Sequence, residues 1–208
     1  MRPVRSREEV ANALTHGFGV IASGVGGALL ITLAAVRGSP WHIVGAAVFT
    51  GSLLLLYAAS TLYHVALHER VKRRLKVFDH CAIFVLIAGT YTPFTLTALR
   101  GAWGWTLFGI IWGLALAGII FKLFLTGRFP RISTAIYIAM GWMVLIAAGP
   151  LVRALDPIAL AWLLAGGVAY TAGTAFYHNR RIPYAHAVWH VFVLAGSACH
   201  IVAVGVQL

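Results

Sequence analysis

Charged residues are scarce in this sequence of 208 residues, of which they make up only 10%. Soluble domains carry about 25% charged residues, so the chain is not one of them. Its two cysteines are too few for a disulfide-rich scaffold. What is abundant is apolar: 61% of the residues are hydrophobic and the mean hydropathy is +0.88, which excludes disorder. The composition therefore indicates an integral membrane protein.

Seven apolar runs fill almost the whole chain. A helix that crosses the hydrocarbon layer needs about 20 residues, so the length provides for seven spans joined by short loops. The runs predict membrane-spanning helices at 14–36, 42–67, 79–99, 103–125, 132–152, 157–177 and 186–207. The predicted fold class is all-α, a polytopic seven-transmembrane helix bundle that forms a single domain over 1–208.

Basic residues are distributed unevenly between the two sides of this predicted bundle. Of the 16 Lys and Arg residues, thirteen lie on one side: they precede span one, lie at the end of span four or follow spans two, four and six. The other three follow spans one, three and five. The positive-inside rule therefore puts the N-terminus in the cytoplasm and the C-terminus outside. The same rule accounts for the net charge of +11 without nucleic acid as a partner.

Asp79 is the one acidic residue set against an apolar span. The chain has five acidic residues, and the others lie at ends or in loops: Glu8, Glu9, Glu69 and Asp156. An ionisable residue inside a membrane span is costly and marks a functional site by default. A carboxylate paired with Lys76 or Arg74 at the membrane edge is the plainer alternative, and the sequence leaves both open.

Histidines gather on the predicted cytoplasmic side. Seven of the nine lie there: His16, His64, His68, His80, His178, His186 and His190. A single histidine at a helix end is usually interfacial or hydrogen-bonded rather than a ligand. A group that several helices contribute to favours a metal site instead.

The sharpest pattern is the HxxxH pair of His186 and His190 at the start of span seven. Residues i and i+4 share a helix face about 6 Å apart along the axis, at which distance two imidazoles hold one metal ion. His64, near the cytoplasmic end of span two, is the third candidate. Three imidazoles and a water give a four-coordinate catalytic zinc with an open position, so the cofactor expected is Zn²⁺.

Two other residues lie at the depth of this predicted site. Asp79 is near the cytoplasmic start of span three. Ser60 precedes His64 by four residues, one turn deeper on the same face, where its hydroxyl reaches a zinc-bound water or a substrate oxygen. A serine in a membrane helix also bonds its own i−4 carbonyl or a neighbouring helix, and both interpretations of Ser60 stand.

The chain resembles a known family over nearly its whole length. Its motifs are similar to those of the progestin and adiponectin receptor superfamily, and more closely to the bacterial hemolysin III branch. The motifs are Glu-Val-Ala-Asn-Ala-Leu-Thr-His at 9–16, Ser-Thr-Leu-Tyr-His at 60–64, Phe-Asp-His at 78–80, Ala-Gly-Thr-Tyr-Thr-Pro-Phe at 88–94, and the HxxxH pair followed by His200. The resemblance implies a multi-pass protein of the bacterial cell membrane with a zinc site on its cytoplasmic side.

The resemblance also assigns roles to residues. It implies zinc ligands at His64, His186 and His190, and places Asp79 and Ser60 near the zinc-bound water. Zinc held by three imidazoles lowers the pKa of its water toward about 7. Asp79 is then expected to take the water proton and return it to a leaving amine or alkoxide.

Four further motif residues receive no role. Glu9, Asn12 and His16 follow an i, i+3, i+7 spacing, which puts them on one face if the helix starts before residue 14. His200 lies ten residues beyond His190. This separation corresponds to about 15 Å of helical rise, so His200 is not expected to be a ligand.

The expected function is zinc-dependent hydrolysis of a lipid amide or ester, with a membrane lipid as substrate or ligand and a role in membrane lipid homeostasis. The resemblance implies chemistry of the ceramidase type. Two alternatives stay open: a receptor-like sensor or fluidity regulator with a structural zinc, and the cytolytic activity that the word hemolysin implies. A retinal protein is excluded because the last span contains no lysine.

The charge distribution predicts that position 73 faces the cytoplasm and position 153 faces outside. We expect an impermeant thiol reagent applied to intact cells to label an Arg153→Cys variant and to spare an Arg73→Cys variant. Permeabilised cells serve as the control, because both positions are then accessible. Protection at position 153 together with labelling at position 73 would reverse the topology.

Overall fold

The computed structural model describes residues 7–179 and 181–208, and these residues fold as a helical bundle. The α-helices within them are α1 (Arg7–Arg37), α2 (Pro40–Val65), α3 (Glu69–Leu96), α4 (Ala102–Leu125), α5 (Pro130–Gly141), α6 (Ala148–Ala154), α7 (Pro157–Tyr177) and α8 (Ala185–Val206). A 3₁₀ turn, Met143–Ala147, joins α5 to α6. Seven segments in this part of the chain are long and apolar enough to cross a membrane, the fifth being Pro130–Ala154. The predicted all-α, seven-span fold class is confirmed.

Two of the helices begin well before their predicted limits. Helix α3 starts at Glu69 instead of 79. The basic segment between the predicted spans two and three, expected as a loop, is therefore helical, and Asp79 lies in the third turn of the helix. Helix α1 starts at Arg7 instead of 14, with Glu8 and Glu9 in its first turn. Hydropathy finds only the part of a helix that crosses the membrane, whereas Lys, Arg and Glu also favour helix beyond it. The other limits agree with the prediction within three residues.

The fifth span is not the continuous helix that the sequence predicts. The α-helix stops at Gly141, and the 3₁₀ turn follows Trp142. The Tyr91 hydroxyl accepts a hydrogen bond from the Val144 amide at 2.9 Å and lies 2.8 Å from the Met140 carbonyl and 2.9 Å from the Gly141 carbonyl, to which it donates. A broken helix is tolerated at membrane depth where other protein groups bind the freed backbone.

Helix α1 is apolar on its outer face and polar or small on its inner face. Leu14 and Phe18 on the outer face are 68% and 63% exposed. The buried positions include Asn12, His16, Gly19, Ser23 and Gly27. Lipid solvates the apolar face, and small residues let neighbouring helices approach closely. The early start of α1 thus brings the first motif to the inside of the bundle.

The helices surround a central cavity. Helix α1 packs between α2 and α8, α2 also packs on α3, and α7 packs on α8. The cavity has a volume of about 840 Å³, with walls from α2, α3, α5, α7 and α8. It extends from Asp79 and His186 at one end of the bundle to Leu99 and Leu107 at the other. The bundle therefore joins its histidine-rich end to a long internal space.

The close approach of α1 to α2 depends on Gly27, since a Cβ at this position would lie 2.0 Å from Cγ2 of the buried Thr50. We expect Gly27→Ala to destabilise the protein by about 1–3 kcal/mol through overpacking, measured as a lower melting temperature in detergent. Gly24→Ala is the matched control, because a Cβ there meets nothing within 4 Å. Equal melting temperatures for the two variants would contradict the close packing.

Candidate metal centre

Three histidines from two helices meet at the end of the bundle where α1 begins. His64 is the penultimate residue of α2, His186 is the second residue of α8, and His190 follows one turn later. One ring nitrogen from each lies within 4.8 Å of the other two. The His64 ring centroid is 5.1 Å from that of His186 and 5.2 Å from that of His190. The fold thus brings the sequence-predicted third histidine to the HxxxH pair.

The donor set fits a metal ion. Nδ1 of His64 lies 2.8 Å from a carboxylate oxygen of Glu9, which leaves Nε2 as the free nitrogen. This Nε2 is buried and has no hydrogen-bond partner among the described residues. An unpaired polar atom in the interior is costly, and a cation held between the imidazoles would satisfy it. The group of His64, His186 and His190 is therefore one that could hold a metal ion.

Helix α1 supplies the hydrogen bonds behind two of these rings. Lys72 Nζ lies 3.1 Å from the Glu9 oxygen that binds His64. Nδ1 of His190 lies 3.0 Å from the Thr15 hydroxyl oxygen and 3.2 Å from the Asn12 carbonyl oxygen. The sequence alone indicated no role for Glu9 and Asn12 and did not single out Thr15. The signal that could have found them is the shared face of Glu9 and Asn12 on a helix that begins early.

Asp79 and Ser60 meet beside the histidines. Both are buried, with 8% and 1% of their surfaces exposed, and both line the cavity. The Ser60 side chain on α2 lies close to the Asp79 carboxylate on α3 and interacts with it electrostatically. Within the part of the chain that is described, Asp79 forms no ion pair with Lys76 or Arg74, so the membrane-edge pair expected as one alternative is absent.

Two of the other motif histidines, His16 and His200, have different surroundings. His16 stacks on His190, with ring centroids 3.5 Å apart and planes 13° from parallel. His200 lies deeper in α8, where its Nε2 donates to the Leu163 carbonyl oxygen at 3.2 Å and its ring packs against Tyr170. His200 lines the cavity but is not one of the three grouped histidines.

His178, in the loop between α7 and α8, is a hydrogen-bond partner of another span. Its Nε2 lies 2.9 Å from the Thr134 hydroxyl on α5. Burial, and then the positive charge of Arg131, lower the pKa of His178 below its usual value. A lowered pKa favours the neutral imidazole, which suits this bond between uncharged groups. His178 is thus a link between two spans beside the cavity rather than a member of the histidine group.

The chain is similar to proteins of one membrane family. The sequence profile described as haemolysin-III related matches residues 4–201. Over 192 residues the chain is 49% identical to the hemolysin-3 homolog of Bacillus subtilis, covering 92% of this chain and 90% of that protein. It is 47% identical to hemolysin-3 of Bacillus cereus over 192 residues, covering 92% and 88%. The human monocyte to macrophage differentiation factor is 27% identical over 206 residues, covering 95% and 83%.

Proposed function

Because the chain belongs to the haemolysin-III related family of multi-pass bacterial membrane proteins, we propose that it is a zinc-dependent hydrolase of a membrane lipid amide or ester. One observation carries the proposal. A group of three histidines and a buried carboxylate with a serine beside it lie together at one end of a long internal cavity. A metal, a base and a space for substrate are what such a hydrolase needs.

The donor set favours zinc over other metals. His64, His186 and His190 offer imidazole nitrogens alone, a donor type that suits zinc, copper, iron and nickel rather than magnesium or calcium. Catalytic zinc sites use three protein ligands and keep the fourth position open, and three histidines are one such set. Zinc at this site would supply Lewis acidity and a water molecule with a pKa of about 7.

Asp79 is the proposed general base. Its carboxylate is buried beside the histidines, and it is not in the group whose donor atoms lie within 4.8 Å of one another. The Ser60 hydroxyl, which lies close to this carboxylate, would orient it. Asp79 would accept a proton from water during attack and deliver it to the leaving amine or alkoxide.

The cavity supports a lipid substrate. Its volume of about 840 Å³ falls in the range of small-molecule sites, about 300–1,000 Å³. Apolar side chains such as Leu86, Phe94 and Leu99 line the wall on the side of α3. A lipid bound with its carbonyl group at the histidines would extend an acyl chain along this wall.

A membrane sensor or fluidity regulator with a structural metal is the second candidate. The burial of His64 and His190, which are 3% and 1% exposed, favours it, because a structural metal site needs no access for water or substrate. Catalysis separates the two functions, since only a hydrolase consumes lipid.

The proposed ligand set predicts the zinc content of purified variants. We expect His64→Ala, His186→Ala and His190→Ala each to lose most of the bound zinc, because two imidazoles do not make a tight site. His42→Ala is the control, since His42 binds Ser39 at the opposite end of α2. Metal analysis of protein purified in detergent measures the difference. Full zinc retention in all three site variants would refute the ligand set.

Lipid turnover tests the proposed function itself. Membrane lipids incubated with purified protein should lose one amide or ester class and gain its free acyl product, as measured by mass spectrometry. A zinc chelator should abolish the change, and added zinc should restore it. An unchanged lipid profile with zinc-loaded protein would favour the sensor.

Asp79→Asn separates chemistry from metal binding. We expect this variant to keep its zinc and to lose about 10²–10⁴-fold in turnover, because the amide cannot act as a base. Asp156→Asn is the matched control, since Asp156 caps α7 at the other end of the bundle. Loss of zinc as complete as in His190→Ala would make Asp79 a ligand. Retention of full turnover would remove it as the base.

A further inference from the structure

Helix α1 contributes no histidine to the metal group, yet its first turns contact each part of the chain that does. Glu9 binds His64, and the Asn12 carbonyl and Thr15 hydroxyl bind His190. Two helices thus supply the donor nitrogens, and a third helix touches their outer sides. This arrangement assigns a function to the first sequence motif, residues 9–16, which supplies none of the three proposed metal ligands.

The contact between Glu9 and His64 is the strongest of these. Its two atoms are 2.8 Å apart, a distance typical of a charge-assisted hydrogen bond. The carboxylate can only accept, so Nδ1 of His64 carries the proton and donates it. The lone pair of the neutral ring is therefore on Nε2, the buried atom that lacks a partner among the described residues. Glu9 thereby selects the tautomer that can bind a metal.

Lys72 holds the carboxylate in this position. Its Nζ lies 3.1 Å from the same Glu9 oxygen, and its side chain is 23% exposed. The contact joins the second turn of α3 to the first turn of α1, while Glu9 itself reaches the last turn of α2. Glu9 is therefore held by residues of two helices, and its carboxylate in turn holds the His64 ring in position.

Similar contacts orient α8. The Thr15 hydroxyl donates to the Ala11 carbonyl at 2.9 Å, so its oxygen accepts from Nδ1 of His190. The Glu8 carboxylate accepts from the amide of Tyr184, two residues before His186, at 3.1 Å. Tyr184 has a φ of 56°, a left-handed conformation that is uncommon outside glycine. The contact with Glu8 helps to hold this conformation where α8 begins.

We propose that Glu9, restrained by Lys72, is a positioning residue that presents His64 to the metal ion, with the first turns of α1 as the outer shell of the site. The inference rests on the metal site of the proposed function. Carboxylates behind metal-bound histidines fix the ring, and their loss typically weakens metal binding about 10–100-fold. Glu9 is not among the described residues that line the cavity, and its hydrogen bond to His64 is the route by which it acts on the site.

Zinc affinity measured by chelator competition on the purified full-length protein tests this role. We expect Glu9→Ala to weaken zinc binding about 10–100-fold. Glu9→Gln should recover part of the loss, because its amide oxygen still accepts from Nδ1. Glu69→Ala is the matched control, since Glu69 is an exposed carboxylate at the same end of the bundle. Wild-type affinity in Glu9→Ala would overturn the proposal.

Two additional measurements separate positioning from folding and from the site itself. The metal-free Glu9→Ala variant should melt close to wild type, and its cobalt-loaded form should show an altered absorption spectrum. Weaker zinc binding with an unchanged cobalt spectrum and no recovery in Glu9→Gln would indicate a purely structural role and overturn the proposal. His64→Ala is the reference variant. If His64→Ala keeps wild-type zinc affinity, the proposed metal site is wrong. If His64→Ala loses zinc but Glu9→Ala does not, the metal site stands and only the proposed role of Glu9 is wrong.

Discussion

Polar groups inside a membrane bundle find no lipid partner, so each must bind another part of the protein or a ligand. This constraint governs the end of the bundle where the histidines meet. Glu9 on α1 hydrogen-bonds His64 on α2, and Ser60 on α2 lies close to Asp79 on α3. Nε2 of His64 is one of the buried atoms left without a partner among the described residues, and His64 belongs to a group able to hold a metal ion. The metal is proposed where an unpaired nitrogen and this group coincide.

The constraint also explains why the first helix is polar on its inner side. Asn12 and His16 are buried against α2 and α8, although each would be unfavourable in lipid. Small residues further along the same face let α1 lie close to α2, as at Gly27. Close packing holds the helix in place, and its first turns then reach the histidines. Packing in the middle of the bundle and polar contacts at its end are therefore parts of one arrangement.

In the fifth span, a side chain binds backbone groups where the helix is interrupted. The Tyr91 hydroxyl binds backbone groups on both sides of the break between α5 and the 3₁₀ turn. Gly141 and Trp142, at the break, line the cavity. The break thus lies at the wall of the cavity, the space that the proposed lipid chain would occupy. The cavity and the break in the fifth span therefore lie next to each other.

The sequence alone determined the fold class, because seven apolar runs of membrane-spanning length have few other solutions in lipid. It also predicted that His186 and His190 share a face, since i and i+4 neighbours are fixed by the helix itself. It missed the early starts of α1 and α3, which hydropathy does not register, and the break after Gly141, which depends on Tyr91 from another helix. Only the tertiary structure decided that Glu9 bonds His64 and that Ser60 lies beside Asp79. These contacts depend on how the helices are rotated and packed against one another, and no local periodicity encodes that.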